Sequence, residues 1–263
     1  DKGDVYLLAW TTTPWTLPGN TGLAVSEDAD YSIVELEDDN GSHRLVLAQV
    51  LVPANIKQEH KIVGTVKGSE LIGLGYTPLF HPIDFGSPVQ QFMQRPGPGG
   101  VTITELVESR EFAPKVISAE FVSLEDGTGI VHIAPAFGDE DLGVGREKEL
   151  AFVQPVDLQG IITGDYPFAG KFVKDADKEV IQNLTERGLL FHNDIYRHTY
   201  PFCWRCDTPL LYYAKSSWYI RTSALKDQLV EGNSKINWYP DYIKEGRFGE
   251  WLRNNVDWAI SRE

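Results

Sequence analysis

Four threonine hydroxyls crowd into one short segment near the start of the chain. They belong to Thr11, Thr12, Thr13 and Thr16, within Trp-Thr-Thr-Thr-Pro-Trp-Thr-Leu-Pro-Gly-Asn. A hydroxyl both donates and accepts hydrogen bonds, so a rigid row of them can hold a water molecule or a sugar hydroxyl. Threonine is also a common strand residue, and the same pattern is compatible with an ordinary strand edge.

A histidine and an aspartate form a second candidate group far along the chain. Val131–Ile133 reads as a strand that carries His132, Pro135 ends it, and Gly138 turns the chain so that Asp141 falls in the first turn of a helix. This arrangement predicts an imidazole and a carboxylate near one pocket. Each residue also has an ordinary explanation, because a strand histidine often only packs and an aspartate often only caps a helix.

The elements that position the threonines can be predicted from their neighbours. Apolar residues from Val5 to Trp10 predict a buried strand that leads into the segment. Pro14 and Pro18 argue against a helix and predict a stiff, extended turn.

Many short strand candidates with turn signals between them predict a β-rich α/β fold. We expect a twisted, β-barrel-like domain at 1–194 with peripheral helices, including Asp139–Glu149 and Asp175–Arg187. Residues Gly86–Gly100 lack periodicity and predict an exposed loop. Aromatic residues and a Cys-x-x-Cys follow from Ile195, so 195–263 is predicted to be a smaller segment that is partly helical.

Composition narrows the class of protein. The chain has 263 residues and a formal net charge of −14, which disfavours an extended phosphate-binding surface and limits any nucleic-acid contact to a few nucleotides. No apolar run is long enough to span a membrane, and the first residues do not resemble a signal peptide. Both cysteines lie in one Cys-x-x-Cys, which argues against a disulfide-stapled secreted domain and favours a cytoplasmic location.

Both candidate segments resemble motifs of one known family. Thr11 to Asn20 is similar to the threonine-rich motif of the editing (CP1) domain inserted in isoleucyl-tRNA synthetases, which are class I aminoacyl-tRNA synthetases. The valyl and leucyl relatives carry an arginine at the position of Thr13 and an acidic residue at that of Trp15. Gly127 to Asp141 resembles the second motif of this domain, whose histidine and aspartate fall on His132 and Asp141.

The resemblance implies proofreading. One methylene in an apolar pocket is worth only about 1–3 kcal/mol, a limit for which isoleucyl-tRNA synthetases are the standard example. A second pocket would therefore hydrolyse valine from tRNA(Ile). The implied partners are the acceptor end of tRNA(Ile) carrying valine and the catalytic body of the full-length synthetase, and no membrane is involved.

The resemblance also suggests a role for each site residue. Asp141 would pair with the ammonium group of the substrate, and His132 would line the side-chain pocket. Thr11–Thr13 would hold the terminal ribose and the attacking water, and Trp10 would stack on the terminal adenosine. No covalent nucleophile and no cofactor are expected at this site.

Cys203 and Cys206 have the spacing of half a zinc site, because a structural zinc usually takes four ligands. His198 is a weaker third candidate. The family pattern places a second Cys-x-x-Cys upstream of the editing insertion, so zinc is expected only in the full-length enzyme. A redox role is disfavoured, since no thioredoxin-like βαβ pattern surrounds the pair.

Two alternatives to an editing hydrolase stay open. The chain could be a non-catalytic module that binds the acceptor end of tRNA, or a free-standing esterase, although no Gly-x-Ser-x-Gly elbow is present. Neither the His-x-Gly-His nor the Lys-Met-Ser-Lys-Ser signature occurs, so an ATP site and amino-acid activation are expected to be absent.

Overall fold

A computed structural model describes residues 4–38, 41–97, 102–195 and 199–261 of the chain. The strands in these residues are short and form four separate sheets. They are β1 (Val5–Leu7), β2 (Gly22–Val25), β3 (Asp30–Asp38), β4 (Gly41–Ala48), β5 (Lys61–Lys67), β6 (Val89–Pro96), β7 (Thr102–Ser109), β8 (Lys115–Ser118), β9 (Ile130–Ile133), β10 (Ala151–Val153), β11 (Tyr219–Ile220) and β12 (Trp258–Ala259).

The helices are mostly short. The α-helices are α1 (Val52–Asn55), α2 (Gly68–Leu71), α3 (Asp139–Glu147), α4 (Val173–Glu186), α5 (Lys226–Ser234) and α6 (Arg247–Arg253). Short 3₁₀ helices cover Pro14–Gly19, Gln49–Leu51, Pro82–Phe85, Thr222–Leu225 and Asp241–Ile243.

The strand β2 joins the two candidate segments. It follows the threonine-rich segment directly and pairs in parallel with β8 on one side and antiparallel with β9 on the other. Leu23 of β2 lies opposite His132 of β9. The sheet therefore brings the histidine beside the end of the threonine-rich segment, although more than a hundred residues separate them in the sequence.

Helix α4 packs against the threonine-rich segment. Val173, Ala176, Val180 and Leu184 recur at helical spacing and are all buried. They pack in one apolar cluster with Trp15. The helix ends at Glu186, and Gly188 follows with a φ of +67°, the left-handed conformation that commonly terminates helices.

The β-rich α/β class is confirmed, but none of the sheets in the described residues closes into a barrel. The predicted loop at Gly86–Gly100 is wrong for most of its length, because β6 pairs with both β7 and β10. The strand predicted at Val5–Trp10 is present only at Val5–Leu7, and its predicted burial is wrong. β1 is only three residues long and lies at the edge of its sheet, where Val5 is 57% exposed.

The chain divides into two compact units, Asp1–Ala214 and Lys215–Glu263. The second unit contains the β11–β12 ribbon together with α5 and α6. Leu252 of α6 is buried, whereas the neighbouring Trp251 is 64% exposed. The domain boundary near Ile195 stays a prediction. In the described residues, no helix combines the length and apolarity that crossing a membrane requires.

Candidate functional site

The threonine-rich segment folds into a 3₁₀ helix at Pro14–Gly19, not the extended turn that we predicted. Pro14 occupies the first helical position, where no N–H group is needed and the fixed φ of proline fits the helix. Five of its six residues, Trp15 to Gly19, are buried. The helix thus fixes the preceding Thr11–Thr13 at the edge of a packed region.

The two candidate segments are joined by hydrogen bonds to both ring nitrogens of His132. Oγ1 of Thr16 lies 3.0 Å from Nε2, and Nδ2 of Asn20 lies 2.8 Å from Nδ1. The His132 side chain is only 8% exposed. Burial lowers the pKa of His132 to about 4, so the imidazole is neutral at physiological pH.

Both the amide nitrogen and the amide oxygen of the Asn20 side chain form hydrogen bonds. Besides His132, its Nδ2 contacts the carbonyl oxygens of Gly22 at 2.8 Å and Ile133 at 3.4 Å. Its Oδ1 accepts a hydrogen bond from the hydroxyl of Tyr76. Burial raises the pKa of Tyr76, so this phenol stays protonated and acts as the donor.

The threonine hydroxyls form a line that ends at Thr16. Oγ1 of Thr13 lies 3.4 Å from Oγ1 of Thr11 and 3.4 Å from Oγ1 of Thr16. The Thr16 hydroxyl donates to the carbonyl oxygen of Thr13 at 2.8 Å, and the N–H of Thr13 donates to Oγ1 of Thr11 at 3.1 Å. Thr12 is exposed, whereas Thr11 and Thr13 are partly buried. The segment therefore presents hydroxyls at its surface from a backbone that is held in place.

Asp141 lies in the first turn of α3, as predicted. Its Oδ2 accepts the backbone N–H of Ala134 at 2.8 Å, which folds the loop between β9 and α3 back on itself. Burial raises the pKa of Asp141, the N–H of Ala134 opposes this, and the neighbouring Glu140 raises the pKa further. A partly buried carboxylate whose capacity for hydrogen bonds is only partly used can accept a cationic group.

The loop between β9 and α3 packs on the threonine-rich segment through aromatic rings. Phe137 meets Trp15 edge to face, with ring centroids 4.9 Å apart. A Cβ at Gly19 would approach the Phe137 ring to 2.7 Å, so glycine leaves room for this contact. The backbone N–H of Trp10 also donates to the carbonyl oxygen of Ile130, at 3.2 Å.

Two supporting residues were missed by sequence reasoning. Oδ1 of Asp177, on α4, accepts the backbone N–H of Trp15 at 2.9 Å across 162 residues of sequence. Burial raises the pKa of Asp177, and the bond to Trp15 and the charge of Lys174 lower it. Tyr76 is the other missed residue. Neither lies in a motif, and both face their partners only because of tertiary packing.

The cysteine pair forms a tight turn. The N–H of Cys203 donates to the carbonyl oxygen of Thr208 at 2.8 Å, and the N–H of Asp207 donates to that of Cys203 at 2.9 Å. Sγ of Cys206 lies 3.0 Å from Oγ1 of Thr208, and this hydrogen bond lowers the pKa of the Cys206 thiol. Among the described residues no group of three or more potential metal ligands is assembled, and His198 lies outside them.

Comparison with known proteins gives consistent matches over the whole chain. A family model described as tRNA synthetases class I (I, L, M and V) matches residues 1–263. An isoleucine–tRNA ligase from Dehalococcoides mccartyi is 55% identical over 259 residues, which are 98% of this chain and 24% of that protein. An isoleucine–tRNA ligase from Bacillus thuringiensis is 41% identical over 263 residues, which are 100% of this chain and 23% of that protein.

The chain spans about a quarter of the length of the curated relatives it matches. Among solved structures, the editing domain of the Plasmodium falciparum cytosolic leucyl-tRNA synthetase matches with a TM-score of 0.47 and 13% identity, covering 80% of each chain. This structural similarity is too low to support an inference about function.

Proposed function

Since the chain belongs to the class I tRNA synthetases (I, L, M and V), we propose that it is the editing domain of an isoleucyl-tRNA synthetase and hydrolyses valine from mischarged tRNA(Ile). The observation that carries this proposal is the hydrogen bond between Thr16 and His132, because it joins the threonine-rich segment to the segment that bears Asp141. To select valine and hydrolyse its ester, the threonine-rich segment and Asp141 must contact the same substrate.

Asp141 is proposed to bind the ammonium group of the valyl moiety. The carboxylate is partly buried, so its attraction to a cation is less screened than at the surface. Its bond to the N–H of Ala134 uses one acceptor site of one oxygen and fixes the orientation of the carboxylate. The remaining lone pairs can then receive a charge-assisted hydrogen bond.

His132 is proposed to exclude isoleucine by size. Both ring nitrogens are engaged by protein groups, and the ring is neutral, so only its carbon edge is left for a substrate. A rigid carbon edge discriminates by steric contact and not by hydrogen bonding. An extra methylene that meets a fixed ring costs about 1–3 kcal/mol, as for overpacking in a protein core.

Thr11, Thr12 and Thr13 are proposed to hold the ribose and the attacking water. The hydroxyls come from a backbone that is fixed by the following 3₁₀ helix and by internal hydrogen bonds. The imidazole of His132 is hydrogen-bonded to Thr16 and not to Thr11, Thr12 or Thr13, so it does not activate any of these three as a nucleophile. The rate effect then comes chiefly from placing the water.

The proposed partners follow from the same function. The acceptor end of tRNA(Ile) would enter the site, with Trp10 stacking on the terminal adenosine. The catalytic body of the synthetase, in the cytoplasm, would pack on the second unit, whose Trp218 and Trp258 are 79% and 62% exposed. Cys203 and Cys206 would supply two of four zinc ligands, the other two coming from that body, and the metal would hold the two parts together.

The test is deacylation of purified valyl-tRNA(Ile), with isoleucyl-tRNA(Ile) as the competing substrate. We expect valine to be released faster than isoleucine, and Asp141→Ala to nearly abolish the release. Asp139→Ala is the matched control, because Asp139 lies in the same helical turn and is exposed. The combined Thr12→Ala and Thr13→Ala variant should slow hydrolysis.

The chief alternative is a module that binds the acceptor end without catalysis. It predicts tight binding of valyl-tRNA(Ile) with no hydrolysis above the rate in buffer. Full hydrolysis by Asp141→Ala would instead refute the assignment of the ammonium site.

A further inference from the structure

We propose that Asn20 and Thr16 hold His132 as the tautomer with its proton on Nε2, and that the imidazole thereby sets the direction of the threonine hydroxyls. Asn20 and Thr16 act as positioning residues in this arrangement. The proposal deepens the proposed function and rests on it only for the effect on hydrolysis, since the tautomer itself can be measured without a substrate.

The orientation of the Asn20 side-chain amide determines which ring nitrogen of His132 accepts a hydrogen bond. Its Nδ2 faces the carbonyl oxygen of Gly22 at 2.8 Å and that of Ile133 at 3.4 Å, and its Oδ1 accepts from the Tyr76 hydroxyl. Turning the amide over would set an oxygen against two carbonyl oxygens. Nδ2 therefore also faces Nδ1 of His132, and a donor there requires Nδ1 to be the acceptor.

The proton of the neutral imidazole must then lie on Nε2. The atom opposite Nε2 is Oγ1 of Thr16, 3.0 Å away, which accepts this N–H. The Thr16 hydroxyl has one hydrogen, and the carbonyl oxygen of Thr13 takes it at 2.8 Å. Thr16 is thus an acceptor towards every other neighbour.

The same directions of hydrogen bonding extend from the buried Thr16 to Thr13 and Thr11, which are only partly buried. At the 3.4 Å contact between the Oγ1 atoms of Thr13 and Thr16, the hydrogen must come from Thr13. At the 3.4 Å contact between Thr11 and Thr13, it must come from Thr11. Both contacts are long for hydroxyl pairs, so the imidazole fixes the Thr16 hydroxyl firmly and favours these directions at Thr13 and Thr11 more weakly.

The consequence concerns the attacking water. With its hydrogen directed inwards, Thr13 offers a lone pair outwards and can accept a hydrogen from a water molecule. A water held as a donor keeps its own lone pairs for the ester carbonyl. The opposite tautomer would turn the Thr16 hydroxyl towards Nε2 and remove its bond to the Thr13 backbone.

The tautomer is tested by NMR on the full chain labelled with ¹⁵N. Long-range ¹H–¹⁵N spectra distinguish a protonated from a bare ring nitrogen, and His132→Gln identifies the signals among six histidines. We expect a bare Nδ1 and a protonated Nε2 at neutral pH. A proton on Nδ1, or an averaged signal from two exchanging tautomers, would overturn the proposal.

A variant tests whether Asn20 sets the tautomer. Asn20→Asp replaces the donor opposite Nδ1 by a carboxylate, so we expect Nδ1 to become protonated. Asn55→Asp is the matched control, because the Asn55 amide also donates to two backbone carbonyls but lies away from the imidazole. Unchanged His132 signals in folded Asn20→Asp would count against the proposal. If that variant does not fold, the wild-type spectrum still decides.

The effect on hydrolysis is tested separately at Thr16. Thr16→Val removes the hydroxyl and should lower kcat for valyl-tRNA(Ile) by about 10- to 100-fold while KM changes little. Thr16→Ser restores the hydroxyl and should restore kcat. An unchanged kcat in Thr16→Val would overturn the positioning role. Absence of hydrolysis by the wild type would refute the proposed function, whereas the tautomer would still be read from the spectrum.

Discussion

Removing the acceptor at Asp177 should loosen the threonine-rich segment. The carboxylate takes the backbone N–H of Trp15 at 2.9 Å, and Trp15 is buried, so water cannot replace the lost partner. A buried donor left without an acceptor costs about 1–3 kcal/mol. Asp177→Leu should therefore lower the Tm of the first unit by about 2–12 °C, at about 2–4 °C per kcal/mol for a domain of this size.

Asp177→Asn should behave differently, because its side-chain oxygen can still accept the N–H. Burial is the main influence on Asp177 and raises its pKa above the value in the unfolded chain. The charged form is therefore disfavoured by folding, and this penalty is fully present at pH values above the folded pKa. At pH 7 the neutral amide relieves the penalty, so the asparagine variant should be at least as stable as the wild type.

Two assays check this prediction. Thermal unfolding followed by circular dichroism gives the change in Tm, and hydrogen exchange measures protection of the Trp15 amide directly. We expect exchange at Trp15 to accelerate in Asp177→Leu but not in Asp177→Asn, and kcat for valyl-tRNA(Ile) to fall by up to about 100-fold only in the leucine variant. Asp175→Leu, an exposed aspartate on the same helix, is the control. Equal protection and equal Tm in all variants would refute the reasoning.

Three further outcomes are expected. Hydrolysis should decline on acidification at a pH above the ordinary aspartate value of 3.8, because burial raises the pKa of Asp141 in the unliganded protein and only its ionised form binds an ammonium group; the pH profile of kcat/KM checks this, and a decline only below 3.8 would contradict it. Gly129→Ala should destabilise the first unit by about 2 kcal/mol or more in urea unfolding. The φ of Gly129 is +73°, and a Cβ there would lie 2.4 Å from the Cβ of Ala48. Gly143 has open space around it, so Gly143→Ala should be neutral in the same measurement. The Cys203–Cys206 pair alone should bind Zn²⁺ far more weakly than a four-cysteine site in a chelator competition, because two thiolates fill only half of the coordination sphere; tight binding would show that further ligands come from this chain.

Local patterns predicted the elements around the site well. The strand that carries His132 and the helix that begins at Asp139, with Asp141 in its first turn, were predicted from apolar residues, a proline and a glycine within a few positions. The amphipathic helix α4 was predicted for the same reason. Each of these patterns lies within a short stretch of chain, so the sequence of this protein alone is sufficient to identify it.

The failures have physical causes. Val89–Pro96 has little strand propensity of its own and is stabilised by pairing with β7 and β10. The 3₁₀ helix at Pro14–Gly19 was missed because the two prolines argued against any helix, whereas Pro14 fits the first helical position and the short 3₁₀ helix accommodates Pro18 in its interior. The bonds from Asp177 and Tyr76 depend on elements far apart in the chain, and no local pattern signals them.

The placement of β2 between β8 and β9 has a consequence for synthesis on the ribosome. The segment with the threonines emerges early, yet the strand that carries His132 follows more than a hundred residues later, and α4 later still. Because contacts between distant parts of a chain form late, a nascent chain carries an incomplete site until α4 has left the exit tunnel. Truncated chains that end before β9 should therefore carry the threonines but lack His132, the residue proposed to discriminate between substrates.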